Sequence, residues 1–142
     1  MQVITINVFA QNCEADDIIG LWLTEEGKGL VEVYKKDGTY CGKIIWLKEP
    51  NDDYGNPKKD INNPNPKLKK REVKGIEVMT GFKFNGVDKW EGGRIYDPET
   101  GNTYDGYLKL RNKNYIDLRG YIGISLIGRT SHWVRYKKDK SE

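Results

Sequence analysis

The chain has 142 residues, a length that suits one domain, and its 24 Lys and Arg against 21 Asp and Glu leave a net charge of only +3. That balance argues against a nucleic-acid binder, which would carry a basic stripe. With 37% hydrophobic residues, 16 Gly, 9 Tyr and 4 Trp, the composition is that of a lean core built from turns and aromatic-rich strands, not from helices. No apolar run approaches the ~18 residues of a membrane-spanning helix.

The first segment, V-I-T-I-N-V-F-A at residues 3–10, is apolar but has no basic start. It reads as the end of a secretory signal, with V-F-A before Gln11 as a small-residue cleavage site, or else as a first strand. On the signal reading, residues 1–13 are a truncated leader, 14–136 form the domain and 137–142 are a polar tail with Lys137, Lys138 and Lys140. Cys13 and Cys41 are the only cysteines and stand 28 positions apart without a C-x-x-C pair, which argues against a zinc site. With Cys13 in the leader, two free thiols are expected.

From Ile18 the sequence I-I-G-L-W-L-T predicts a strand through Thr24, followed by a turn at Glu25–Gly29. Leu30 to Lys35 alternates apolar and polar residues. Asp37-Gly38 is a two-residue hairpin signal, and Thr39 to Lys48 follows as a long strand. Residues 49–74 break the pattern: they hold four of the five prolines (Pro50, Pro57, Pro64, Pro66) and Asn51, Asn56, Asn62, Asn63 and Asn65. Their apolar anchors are limited to Tyr54, Ile61 and Leu68. A connection of this length is functional or disordered, and its compact spacing of Asp, Asn and Pro reads as an ordered flap. Alternation resumes through Ile76, Val78, Thr80, Phe82 and Phe84, with a hairpin signal at Asn85-Gly86. Further strands are expected over Trp90–Tyr96, Thr103–Arg111, Tyr115–Ile122 and Ser131–Tyr136. The turn D-P-E-T-G at residues 97–101 separates the first two. About eight evenly spaced strands predict an all-β barrel or sandwich, with no long amphipathic helix and no repeat.

Gly20-Leu21-Trp22 opening the first strand, together with an Arg in the last, resembles the calycin signature of lipocalin-like barrels. The resemblance implies that the Trp closes one barrel end and that a late Arg packs across its ring, a cation–π contact. Arg129 and Arg135 both flank Trp133 and both qualify. The wider pattern is that of G-K-I-I-W-L (42–47), D-I-N-N-P-N-P-K-L (60–68), W-E-G-G-R-I-Y-D-P-E-T-G-N-T-Y (90–104) and R-G-Y-I-G-I-S-L-I-G-R-T-S-H-W-V-R (119–135). From about Asp17 to Tyr136 it resembles the domain of unknown function 2147 family. That resemblance implies a bacterial protein exported behind a signal peptide, periplasmic or secreted, folded as a single up-and-down lipocalin-like barrel. It brings no established activity and no catalytic residues.

In a small barrel each strand sends alternate side chains inward. Over Tyr115–Ile122 one row is Tyr115, Asp117, Arg119 and Tyr121, and the other is Ile116, Leu118, Gly120 and Ile122. The second row is the plain core. If the first faces a cavity, Arg119 supplies an anion-binding fork beside Tyr121, with Lys43, Trp46 and Tyr104 completing the wall. Otherwise Arg119 pairs with an acid such as Asp117 or Asp105 on the outer surface. Asp52, Asp53 and Asp60 in the flap bring oxygen ligands together, but their spacing does not match a calcium loop, and Asp and Asn more often close turns on their own backbone. No metal and no cofactor is expected.

His132 is the only histidine, so a Ser-His-Asp triad would need it, with Ser125 or Ser131 as nucleophile. Ser131 is its strand neighbour and points to the opposite face, and G-I-S-L-I-G is not a nucleophile elbow. Catalysis therefore lacks support. Trp90, Tyr96, Tyr104 and Tyr107 would stack on sugars if exposed, whereas Trp22 and Trp46 suit packing. The leading expectation is a monomeric barrel that binds a small ligand, anionic or lipid-like, in its mouth. The rivals are a cell-envelope hydrolase and a glycan- or protein-binding module acting through the flap.

Overall fold

The computed structural model describes residues 13–121 and 128–138. Eight antiparallel strands close into one barrel in sequence order: β1 Gly20–Leu23, β2 Gly29–Lys36, β3 Thr39–Leu47, β4 Glu77–Phe84, β5 Lys89–Asp97, β6 Asn102–Asn112, β7 Tyr115–Tyr121 and β8 Gly128–Arg135. β1 pairs with β8 at Trp22 opposite Arg135, which leaves no unpaired edge. Asp37, which takes positive φ, and Gly38 turn β2 into β3, as their sequence requires.

The expected strand over 18–24 is shorter than its apolar pattern. Ala15–Ile18 is a 3-10 turn, and β1 begins only at Gly20, whose φ is +136°. The capping box between Glu14 and Asp17 winds the chain before the strand starts. The turn plugs the barrel end formed by the β2–β3, β4–β5 and β6–β7 hairpins. Trp22 Nε1 donates to Ile18 O at 2.9 Å, Trp90 Nε1 to Ala15 O at 3.0 Å, and the Tyr40 hydroxyl to Asp16 Oδ1 at 2.6 Å. Cys13, assigned to a leader from sequence, is instead buried against the core, because the chain entering the plug passes there. Residues 3–10, on which the signal argument rests, lie outside the described residues.

Above the plug the interior is filled. Trp22, Trp90, Phe82, Met79 and Leu108 are all at 0% exposure. Glycines make room for this packing. A Cβ on Gly42 would stand 2.9 Å from Met79 Sδ, and one on Gly93 would be driven into the Phe82 ring. Trp90 is thus core and not a sugar platform.

The flap between β3 and β4 is ordered around a single carboxylate. Asp60, fully buried, accepts from the Tyr96 hydroxyl at 2.5 Å, Asn63 Nδ2 at 2.8 Å and Arg71 Nε at 2.9 Å. Burial pushes this carboxyl up, but the three hydrogen bonds outweigh burial and hold it below its ordinary range. Asn62 Nδ2 donates to the carbonyls of Pro98 and Glu99, which ties the flap to the β5–β6 turn. Of the anchors expected from sequence, Tyr54 and Ile61 are exposed; Asp60, Val73 and Ile76 hold the segment instead. Asp52 closes a local turn by accepting from the amides of Tyr54 and Asn56.

Candidate functional site

The two barrel ends differ. At the plugged end Arg135 lies over Trp22, its guanidinium carbon 4.3 Å from the ring centroid. Its nitrogens donate to Asp17 O at 2.6 Å, Lys113 O at 2.7 Å and Ile19 O at 2.9 Å. Arg135 thereby joins β8, the plug and the β6–β7 hairpin in one contact. Arg129 stands opposite Gly120 in the β7–β8 register, and its side chain lies outside the described residues. Trp133 is buried, its Nε1 donating to Ser131 Oγ at 3.0 Å.

Toward the opposite end the described residues of the same inward rows are only partly buried. Along β6 the inward residues Leu110 and Leu108 are buried, whereas Tyr104 is only half-buried. Its β5 partner Ile95 and Leu47 at the end of β3 are half-buried in the same way. Gly120 of β7 leaves the space that Tyr104 occupies, since a Cβ there would stand 3.3 Å from Tyr104 Cβ. The result is an apolar and aromatic wall facing the barrel end opposite the plug.

The two cations expected on that wall are elsewhere. Ile116 and Leu118 are buried, so their row is inward and Arg119 points out, opposite Tyr107 and Thr130, with Nη1 donating to Thr130 Oγ1 at 2.9 Å. A lone guanidinium inside a packed barrel would be uncompensated, whereas the outer face supplies a hydroxyl and water. Of the acids weighed from sequence as its outer partner, Asp117 pairs with Arg111 and Asp105 with Arg94. Lys43 also points out, 3.5 Å from Glu32 and over the Tyr34 ring. Tyr121 pairs through its backbone with Asp105 and Gly128; its side chain is outside the described residues. Trp46, expected to pack, is 42% exposed. A register shift at Leu30/Val31 places it beside Leu30 on the outer face.

Two polar groupings escaped sequence reasoning. One is the Asp60 cluster, for which D-x-x-N at residues 60–63 is the only local signal. The other joins Asp117 to His132 Nδ1 at 2.6 Å and to Arg111 Nε on the outer face of β6–β8. It is readable only once β7 and β8 are in register, with Asp117 opposite His132. Ser131 faces the interior with Trp133, so it does not complete a triad with that pair. Ser125 lies outside the described residues. Tyr96 is tied to Asp60, and Lys89 lies over Tyr107, so neither ring is a free sugar platform. Among the described residues no group of three or more His, Cys, Asp or Glu is placed to hold a metal ion, and no helix is long and apolar enough to cross a membrane.

Comparison with known proteins agrees with the architecture. Residues 20–135 match the family described as "Uncharacterized protein conserved in bacteria (DUF2147)". Among solved structures, protein HP1028 from the human pathogen Helicobacter pylori, described as belonging to the lipocalin family, is similar at a TM-score of 0.73 and 25% identity. The likeness covers 84% of this chain and 83% of that one. No curated protein matched. A closed eight-stranded barrel, a plug under Trp22 and Arg135, and a family match over nearly all of the strands lead to one assignment: the chain belongs to the DUF2147 family and has a lipocalin-like fold.

Proposed function

We propose that the chain binds a small, largely apolar ligand at the barrel end opposite the plug. The observation that carries this reading is the change in burial along the inward rows. Leu108 and Leu110 are sealed, while Tyr104 and Ile95, on the same interior surface, keep partial exposure. Partly open apolar walls in a concave setting are what ligand sites are made of. Arg119 and Lys43 lie on the outer face, so they supply no selection for an anion, and lipid-like chemistry is the better fit. The closed barrel offers no free sheet edge for pairing, which supports a monomer. The apolar stretch at residues 3–10 supports a periplasmic or secreted location.

The test is titration with a fluorescent polyene fatty acid, competed by an unlabelled fatty acid and by its neutral alcohol. Saturable binding displaced by both competitors is expected. Ile95→Trp fills the wall and is expected to weaken binding at least tenfold, while Arg119→Met leaves it within twofold. Absence of saturable binding, or equal binding by Ile95→Trp in a folded protein, would refute the reading. Fractionation of cells expressing the chain tests the location.

A further inference from the structure

The outer face of β6–β8 carries a groove of about 420 Å³ lined by Arg111, Asn112, Tyr115, Ile116, Asp117 and His132. It lies near the plugged end, away from the proposed ligand wall. Asp117 organises it. Only 14% of its side chain is exposed, and its two oxygens are divided between Arg111 Nε and His132 Nδ1. Burial pushes its carboxyl up, but the hydrogen bonds from Arg111 and His132 outweigh burial and hold it below the ordinary carboxylate range. An ionised Asp117 keeps the proton of a neutral His132 on Nδ1 and leaves Nε2 as an acceptor.

The remaining valences face outward. His132 and Arg111 are 56% and 62% exposed in their side chains. Arg111 retains its terminal amines. Asn112 spends its oxygen on the Asn114 amide, which leaves its Nδ2 as a donor. Tyr115 is 49% exposed beside Val134, its cross-strand partner at 41%. The groove therefore combines an aromatic platform with planar donors and an acceptor. The charge of Arg111 is matched by that of Asp117. An incoming anion would meet the Asp117 carboxylate, and an incoming cation would meet Arg111. Volume, charge balance and mixed donors and acceptors suit a ligand with many hydroxyls and no charge, and an exposed ring suits the apolar face of a pyranose.

We propose that this groove is a binding site for a neutral saccharide of one or two rings, with Tyr115 as its stacking platform and Arg111, Asn112 and His132 as its hydrogen-bonding groups. Asp117 is a positioning residue that holds Arg111 and His132 in place.

The experiment is amide and histidine-ring NMR titration of the full chain. The probes are maltose, cellobiose and N,N′-diacetylchitobiose, with inorganic phosphate and acetate run in parallel. Saturable shifts confined to residues 111–117 and 130–134 with at least one disaccharide are expected. They should be weakened at least tenfold by Tyr115→Ala and by His132→Ala, and kept by Tyr115→Trp. Asp117→Asn is expected to weaken binding and to move the His132 ring resonances before any sugar is added. The proposal is overturned if no disaccharide gives saturable shifts, if only phosphate or acetate does, or if the shifts survive Tyr115→Ala. Ile95→Trp, which fills the opposite end, is expected to leave sugar binding unchanged, so the two sites stand or fall separately.

Discussion

Arg135→Met removes a guanidinium while keeping most of its stem, and so tests whether the barrel end is closed by charge as well as by packing. Three carbonyls lose donors, those of Asp17, Ile19 and Lys113, and Trp22 loses a cation 4.3 Å from its ring centroid. A hydrogen bond from a charged group contributes about 1.5–3 kcal/mol when it is shielded, but water replaces much of it at the surface. The bonds to Ile19 and Lys113 are exposed, so most of the loss falls on Asp17 and on the ring contact. A cation–π contact contributes about 0.5–2 kcal/mol. Burial already disfavours the charge on Arg135, which offsets part of these terms. The expected cost is about 2–3 kcal/mol. Urea unfolding, at a slope of about 1–3 kcal/mol per molar, would then show a midpoint lower by about 1 M. Combined with Trp22→Phe, the substitution is expected to give a coupling energy of about 0.5–1.5 kcal/mol. Gly20→Ala attacks the same contact from below. A Cβ there would stand 2.8 Å from Arg135 Nη1, on a backbone at φ +136°. A cost below about 0.5 kcal/mol for Arg135→Met, the range of ordinary surface changes, would refute the reasoning.

Asp60→Asn is expected to cost about 2–4 kcal/mol, because Arg71 loses its counter-ion in a site where the carboxylate is fully buried. Limited proteolysis should then cut within residues 48–76. Since the folded carboxyl of Asp60 is held below its unfolded value, its contribution is fully present above about pH 4 and is lost as pH falls through the folded pKa. Acid unfolding of Asp60→Asn should accordingly show a shallower loss below about pH 4 than the wild type. Gly93→Ala is expected to cost about 1–3 kcal/mol or more by forcing a methyl into the Phe82 ring, and Phe82→Leu in the same chain should recover part of it in thermal unfolding. Burial, followed by the nearby Asp17, pushes the Cys13 thiol up to about 11. At pH 8 a disulfide reagent should therefore modify Cys13 only as fast as the plug opens, and fast modification in native buffer would contradict its placement.

Much of the architecture is legible in the chain itself. Turn residues such as Asp37-Gly38 and Asn85-Gly86, set between alternating runs, announce eight strands, because hairpin geometry is dictated locally by which residues tolerate positive φ. The Gly-x-Trp pattern and a late Arg point to one closed end, although two arginines satisfy that pattern equally. Alternation divides Tyr115–Tyr121 into two rows but does not say which row is inside. Packing decides it: Ile116 and Leu118 fill a core already occupied by Leu108 and Trp133, and this turns Arg119 and Asp117 to the outer face. Trp46 is misjudged from its hydrophobicity because a register shift between β2 and β3 carries it to the outer face. The Asp60 cluster and the Asp117–His132–Arg111 grouping join residues separated by between 3 and 36 positions. Apart from the local Asp60–Asn63 bond, only the tertiary structure brings them within hydrogen-bonding distance, because neighbours across the barrel are set by register and not by spacing along the chain.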